Sequence, residues 1–110
     1  MEKLTHYQNA ILAMLESYEY VSDNVASCRI ADKERGHYQL ALIGEDKKKM
    51  SFIWIRMHLQ LKADGKIWIL ENKTEYDIGE DLAAQGVLKS DIVVGILPEL
   101  MRQHTEYAIC

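Results

Sequence analysis

Apolar residues recur at helical steps through the first twenty positions and then change period. Leu4, Tyr7, Ile11, Met14, Leu15 and Tyr18 fall three or four apart. That stripe predicts one amphipathic helix from about Glu2 to Tyr20, closed by the polar break Ser22-Asp23-Asn24. Beyond the break the pattern turns to alternation. Val25 to Ala31 reads as a strand, and Tyr38, Leu40 and Leu42 alternate with His37, Gln39 and Ala41 as a second. Gly44 to Lys47 supplies a turn into a long strand, Met50 to Leu61. The Ala63-Asp64-Gly65-Lys66 segment is a hairpin signal, because Asp-Gly accepts the positive φ of a tight turn. Lys66 to Glu71 returns as the next strand.

The last third is punctuated differently. Asp77 and Glu80 have capping-box spacing, with Thr74 an alternative cap, ahead of a short helix from Ile78 to Gln85 that ends at Gly86. Ser90-Asp91 opens a turn through Val94, Pro98 can start a helical turn to His104, and Thr105 to Ile109 alternates as a final strand. The expected fold class is therefore α+β. One domain spans residues 1–110: an N-terminal amphipathic helix packed on an antiparallel sheet of four to five strands, with short helices in the C-terminal third.

The long strand can be read face by face. Its odd positions, Ile53, Ile55, Met57, Leu59 and Leu61, read as the core face. Its even positions, Phe52, Trp54, Arg56, His58 and Gln60, pass from aromatic to polar. On the following strand Ile67 and Ile69 go with the core, and Trp68 and Leu70 go with the second face. Two tryptophans on that face call for a cover. Either the C-terminal segment Ile78 to Leu100 or a partner protein or second copy can provide it. The candidate interaction face is thus Phe52, Trp54, Arg56, His58, Trp68 and Leu70, a set that includes the Trp and Arg types enriched at binding hot spots. Length adds to the picture. Twelve residues at ~3.3 Å span about 40 Å, against a radius of gyration of ~13 Å for a chain near this size. The strand must bend, bulge or project.

Composition narrows the function classes. The 110 residues are 48% hydrophobic and 27% charged, in the range of a folded globular domain. Thirteen Lys and Arg against 17 Asp and Glu leave a net charge of −4. Unaided nucleic-acid binding normally needs clustered cations, and the only run is Lys47-Lys48-Lys49, so direct DNA binding is disfavoured. Cys28 and Cys110 lack metal-ligand spacing and read as free thiols. No apolar run reaches membrane-spanning length and Met1-Glu2-Lys3 opens no signal peptide, so a cytoplasmic protein off the membrane is expected. The four histidines show no metal spacing, and no phosphate loop or nucleophile motif is present. No cofactor is expected. The densest polar cluster surrounds Asp32, Glu34, Arg35 and His37. It reads as a turn with local ion pairs, the competing reading being a divalent-cation nuclease site on Asp32 and Glu34.

Several segments together resemble the XisI-type fdxN element excision controlling factors. They are Asp32-Lys33-Glu34-Arg35-Gly36-His37-Tyr38, Gly65-Lys66-Ile67-Trp68-Ile69, Thr74-Glu75 and Asp91-Ile92-Val93-Val94-Gly95. The closing Arg102-Gln103-His104-Thr105-Glu106-Tyr107-Ala108-Ile109 is similar to that family's Arg-x-x-Thr-x-Phe-Ala-Val ending. The resemblance implies a small cyanobacterial accessory protein for developmental DNA rearrangement, not an enzyme itself, acting beside a XisH-like partner; a homo-oligomer is the alternative that the uncovered aromatic face offers. It carries over no catalytic residue. This chain departs from the family where Asn72-Lys73 replaces Asp-Gly before Thr74-Glu75, and where Ile96-Leu97 follows Gly95. It also has one extra residue between His58 and the Asp64-Gly65 turn.

Overall fold

The computed structural model describes residues 2–110. The first helix, α1 (Glu2–Ser17), buries Tyr7, Ala10, Ile11, Met14 and Leu15, the stripe expected from its spacing. Each such large apolar side chain gains roughly 1.5–3 kcal/mol by leaving water. The helix stops at Ser17, three residues short of the expected end at about Tyr20. Tyr18 still packs against the core while stacking on Tyr76 with ring centroids 4.0 Å apart, and its hydroxyl donates to Asp81. Tyr20 is then already extended, its carbonyl accepting from the Ser27 N–H at 2.9 Å.

Five strands follow in the spatial order of the chain: β1 (Val25–Asp32), β2 (His37–Glu45), β3 (Ser51–Leu61), β4 (Ile67–Asn72) and β5 (Ile92–Val93). The first four form an antiparallel meander. The fifth pairs parallel to β4, through Ile67↔Ile92 and Trp68↔Val93, which makes the sheet mixed. Its direction is set by the crossover through α2 (Ile78–Ala84), since a chain returning past a helix runs parallel to the strand it left. Asp77 caps α2 by accepting the Glu80 N–H at 3.1 Å, as the capping-box spacing predicts. A 3₁₀ turn (Lys89–Asp91) leads into β5, and α3 (Glu99–Arg102) follows Pro98. The alternating end, Thr105 to Ile109, makes only the single parallel bridge Val93↔Ala108. Thr105 folds back on the Arg102 carbonyl, which leaves too little extended chain for a strand.

The core lies between α1, the end of the sheet formed by Tyr38, Leu40, Met57, Leu59, Leu61, Ile67 and Ile69, and Ile78, Leu82 and Ile92. At its floor, Gly36 turns β1 into β2 at φ +78°. A Cβ there would sit 2.1 Å from the Leu61 carbonyl oxygen, so only glycine fits.

The register of β3 corrects the face assignment made from alternation. Leu40 pairs with Met57 but Ala41 pairs with Ile55, so Arg56 is an extra residue on β3. Such a bulge changes the parity of everything before it. Met57, Leu59 and Leu61 face α1 as expected. Upstream, Trp54 opposite Leu42 and Phe52 opposite Gly44 share the α1 side, while Ile53 and Ile55 point to the other face. Trp54 and Trp68 therefore lie on opposite faces. A second bulge, at Leu70, comes from Leu59 pairing with Ile69 and His58 with Glu71.

Candidate partner-binding site

Beyond the end of α1 the sheet continues as a bare ribbon, and the molecule measures 45 × 31 × 23 Å along its principal axes. Phe52 and Trp54 pack together on one side of the ribbon, ring centroids 5.0 Å apart. Trp54 nevertheless remains 60% exposed, and Ile53, on the other side, 56%. Both faces of β3 are thus apolar where neither has a cover.

Arg56 is lodged at the bulge. Its guanidinium donates to the Lys73 carbonyl at a long 3.5 Å, and it makes no ion pair among the described residues. An open concavity of about 620 Å³ here is lined by Ile53, Trp54, Ile55, Arg56 and Lys73. On the helix side a cavity of about 90 Å³, bounded by Tyr18, Tyr20, Leu42 and Tyr76, also reaches Arg56.

Trp68 and Leu70 have a different setting. Two cations lie over the Trp68 ring, Lys62 Nζ at 4.0 Å and the Arg102 guanidinium carbon at 5.0 Å from its centroid. Arg102 is fixed by donating to the carbonyls of Leu97 at 3.0 Å and Ile109 at 3.2 Å. Gly95 passes so close that a Cβ would meet Trp68 at 3.1 Å and Leu70 at 3.3 Å. The chain's own C-terminal segment covers this pair, and Trp54 is left uncovered. Of the six candidate face residues, the structure joins Phe52, Trp54 and Arg56 at one pole and Trp68 with Leu70 at another.

His58 occupies the open face between them. His37 Nδ1 and His58 Nε2 share a hydrogen bond at 2.9 Å, one ring donating and the other accepting. Gln39 lies 3.3 Å from the second His58 nitrogen. Burial, and secondly the neighbouring His37, hold His58 below its usual 6.5 against the pull of Glu71.

The polar turn is a local ion pair. Asp32 accepts the Arg35 N–H at 3.0 Å and its guanidinium at 3.2 Å. Those bonds, the backbone one foremost, keep the Asp32 carboxyl below the ordinary carboxylate range. Glu34 and Arg35 border an open cavity of about 500 Å³ with Leu4, Gln8 and Tyr38. Among the described residues no three His, Cys, Asp or Glu side chains gather into a metal site, and Cys28 and Cys110 are both free thiols.

Two elements of the exposed pole escape a reading by alternation. Lys73 looks like an ordinary loop residue, and Ile53 and Ile55 look like core. The available signal is the unbroken apolar run Phe52-Ile53-Trp54-Ile55, which has no polar face, ahead of true alternation from Met57.

Comparisons with known proteins agree with this architecture. A crystal structure of a XisI-like protein from Anabaena variabilis ATCC 29413 superposes with a TM-score of 0.84 at 32% identity, covering 97% of this chain and 99% of that one. The fdxN element excision controlling factor XisI from the same strain gives 0.79, also at 32% identity, over 98% and 99% of the two chains. No curated protein matches. No helix among the described residues is long and apolar enough to cross a membrane. The family model described as XisI protein matches residues 1–109, and the chain belongs to the XisI family.

Proposed function

We propose that this protein is a non-enzymatic controlling factor for DNA-element excision that works by binding another protein. The observation that carries the reading is the pole around Trp54 and Arg56. There, an exposed tryptophan and a guanidinium with no acidic partner among the described residues stand on a ribbon whose two faces are both apolar. Tryptophan and arginine in such a setting are the residue types that dominate binding energy at interfaces. The name carried by the A. variabilis relative, excision controlling factor, supports the biological setting. A XisH-like protein is the partner this reading nominates. Cys28, Asp32 and Glu34 take no chemical role in it.

Co-expression of the chain with a XisH-like protein from the same genome, followed by affinity purification and light scattering, tests the proposal. A stoichiometric complex is expected, weakened about tenfold or more by Trp54→Ala, as for a hot-spot residue. Trp68→Ala, at the self-covered pole, is expected to change affinity much less. A chain that stays alone at micromolar concentrations with that partner would sink the proposal.

A further inference from the structure

The sheet has a notch. β4 pairs with β3 only from Leu61↔Ile67 to Met57↔Asn72. At Asn72 the chain turns away, the Asn72 side chain accepting the Thr74 N–H at 2.9 Å and its hydroxyl at 2.6 Å. The last main-chain contact is the Lys73 N–H on the Arg56 carbonyl, at 2.8 Å. From Ser51 to Ile55, therefore, β3 is bonded to β2 on one side and, among the described residues, to no strand on the other. Five residues of free edge measure about 17 Å. A free edge with exposed apolar side chains is a template for another extended chain.

Charge says what kind of chain. Arg56 and Lys73 stand at one end of the free edge, and Lys47, Lys48 and Lys49 occupy the β2–β3 turn at the other. None of the five makes an ion pair among the described residues. Glu45, which ends β2, and Asp46, which accepts the Lys48 and Met50 N–H groups at 2.8 and 3.0 Å, offset two of the three lysine charges there, so this end is positive by one charge and the Arg56–Lys73 end by two. This cationic frame sits in a protein of net charge −4. It also argues against a second copy. Antiparallel self-pairing about Ile53 would set the lysine turn of each copy beside Arg56 and Lys73 of the other, like charge on like.

Resting on the reading that the chain binds another protein, we infer that the notch takes an extended acidic segment of that partner as an added strand. Its backbone pairs with Ser51–Ile55, its apolar side chains lie against Ile53 and Trp54, and its carboxylates meet Arg56 and Lys73.

Panning a random ten-residue peptide display library on the full-length protein tests this, with the best peptide then synthesised for anisotropy titration and hydrogen exchange. Selected peptides are expected to combine Asp or Glu with β-branched or aromatic residues, and to slow amide exchange within Ser51–Ile55. Charge reversal, Arg56→Glu with Lys73→Glu, is expected to weaken that peptide at least about tenfold. It should also turn selection toward Lys- and Arg-bearing sequences, a switch that misfolding cannot mimic. Selection of basic or unpatterned peptides by the parent chain would overturn the inference. So would protection confined to the β1 edge, displacement of the peptide by a 20-nucleotide single-stranded DNA, or protection of Ser51–Ile55 by self-association alone. If these fail while the XisH-like protein still co-purifies, the notch is wrong and the binding function stands. If co-purification fails as well, the functional reading falls with it.

Discussion

At the scale of single residues, His58 is the group whose protonation the fold resists. It shares a hydrogen bond with His37 at 2.9 Å, and this requires at least one ring to offer a lone pair. Its folded-state value lies below 6.5, so near and below that pH the unfolded chain binds more protons than the native one. Stability is then fully present above about pH 6.5 and declines as the pH falls through the lower folded value. Urea midpoints are expected to drop between about pH 7.5 and about pH 5.5 in the parent chain, and to drop less in His58→Gln. Equal slopes would show that the pair is not a coupled site. Neither histidine was marked for this by its sequence spacing. Twenty-one residues separate them, and only the β2–β3 register brings them together.

At the scale of elements, the bulge at Arg56 divides β3 into halves with different duties. The half from Met57 to Leu61 was legible in the sequence, because strict alternation against a buried face leaves one consistent register. The other half was not. An inserted residue leaves no local signature, and carrying the parity across it placed Ile53 and Ile55 in the core and both tryptophans on one face. The short C-terminal elements were legible through their caps, Asp77 before α2 and Gly86 after it, which are local chemistry. Strand β5 was not: Ile92 and Val93 read as part of a turn, and both their pairing and its parallel direction follow from how the chain travels around α2. The division has an energetic consequence. Leu59→Ala is expected to cost about 2–5 kcal/mol and Ile53→Ala no more than about 0.5 kcal/mol, both from urea denaturation. Comparable losses would place Ile53 in a core and contradict the register.

Across the whole molecule, one buried carboxylate joins the two ends of the chain. Asp91, 8% exposed, accepts from the Tyr7 hydroxyl at 2.5 Å and from Lys3 at 3.0 Å. Burial pulls its carboxyl up, but the bonds from Tyr7 and Lys3 outweigh burial and hold it below the usual 3.8. Its contribution is therefore present above about pH 3.8 and lost as the pH falls through the lower folded value. Asp91→Asn is expected to lose about 1–3 kcal/mol at neutral pH, with a shallower decline in acid, measured by urea denaturation. In the sequence Asp91 opens a turn, and nothing local announces a partner 84 residues away.

That separation matters while the chain is being made. Synthesis runs at roughly 5–20 residues per second, so Asp91 follows Tyr7 from the ribosome by about 4–17 s. The β2–β4 meander emerges within that interval and can receive the helix, but the helix stays unlatched until Asp91 arrives. Until then the apolar stripe of α1 is held by packing alone, with the bare ribbon at Trp54 open beside it. A nascent chain of this protein is therefore expected to depend on holding chaperones more than the finished fold does.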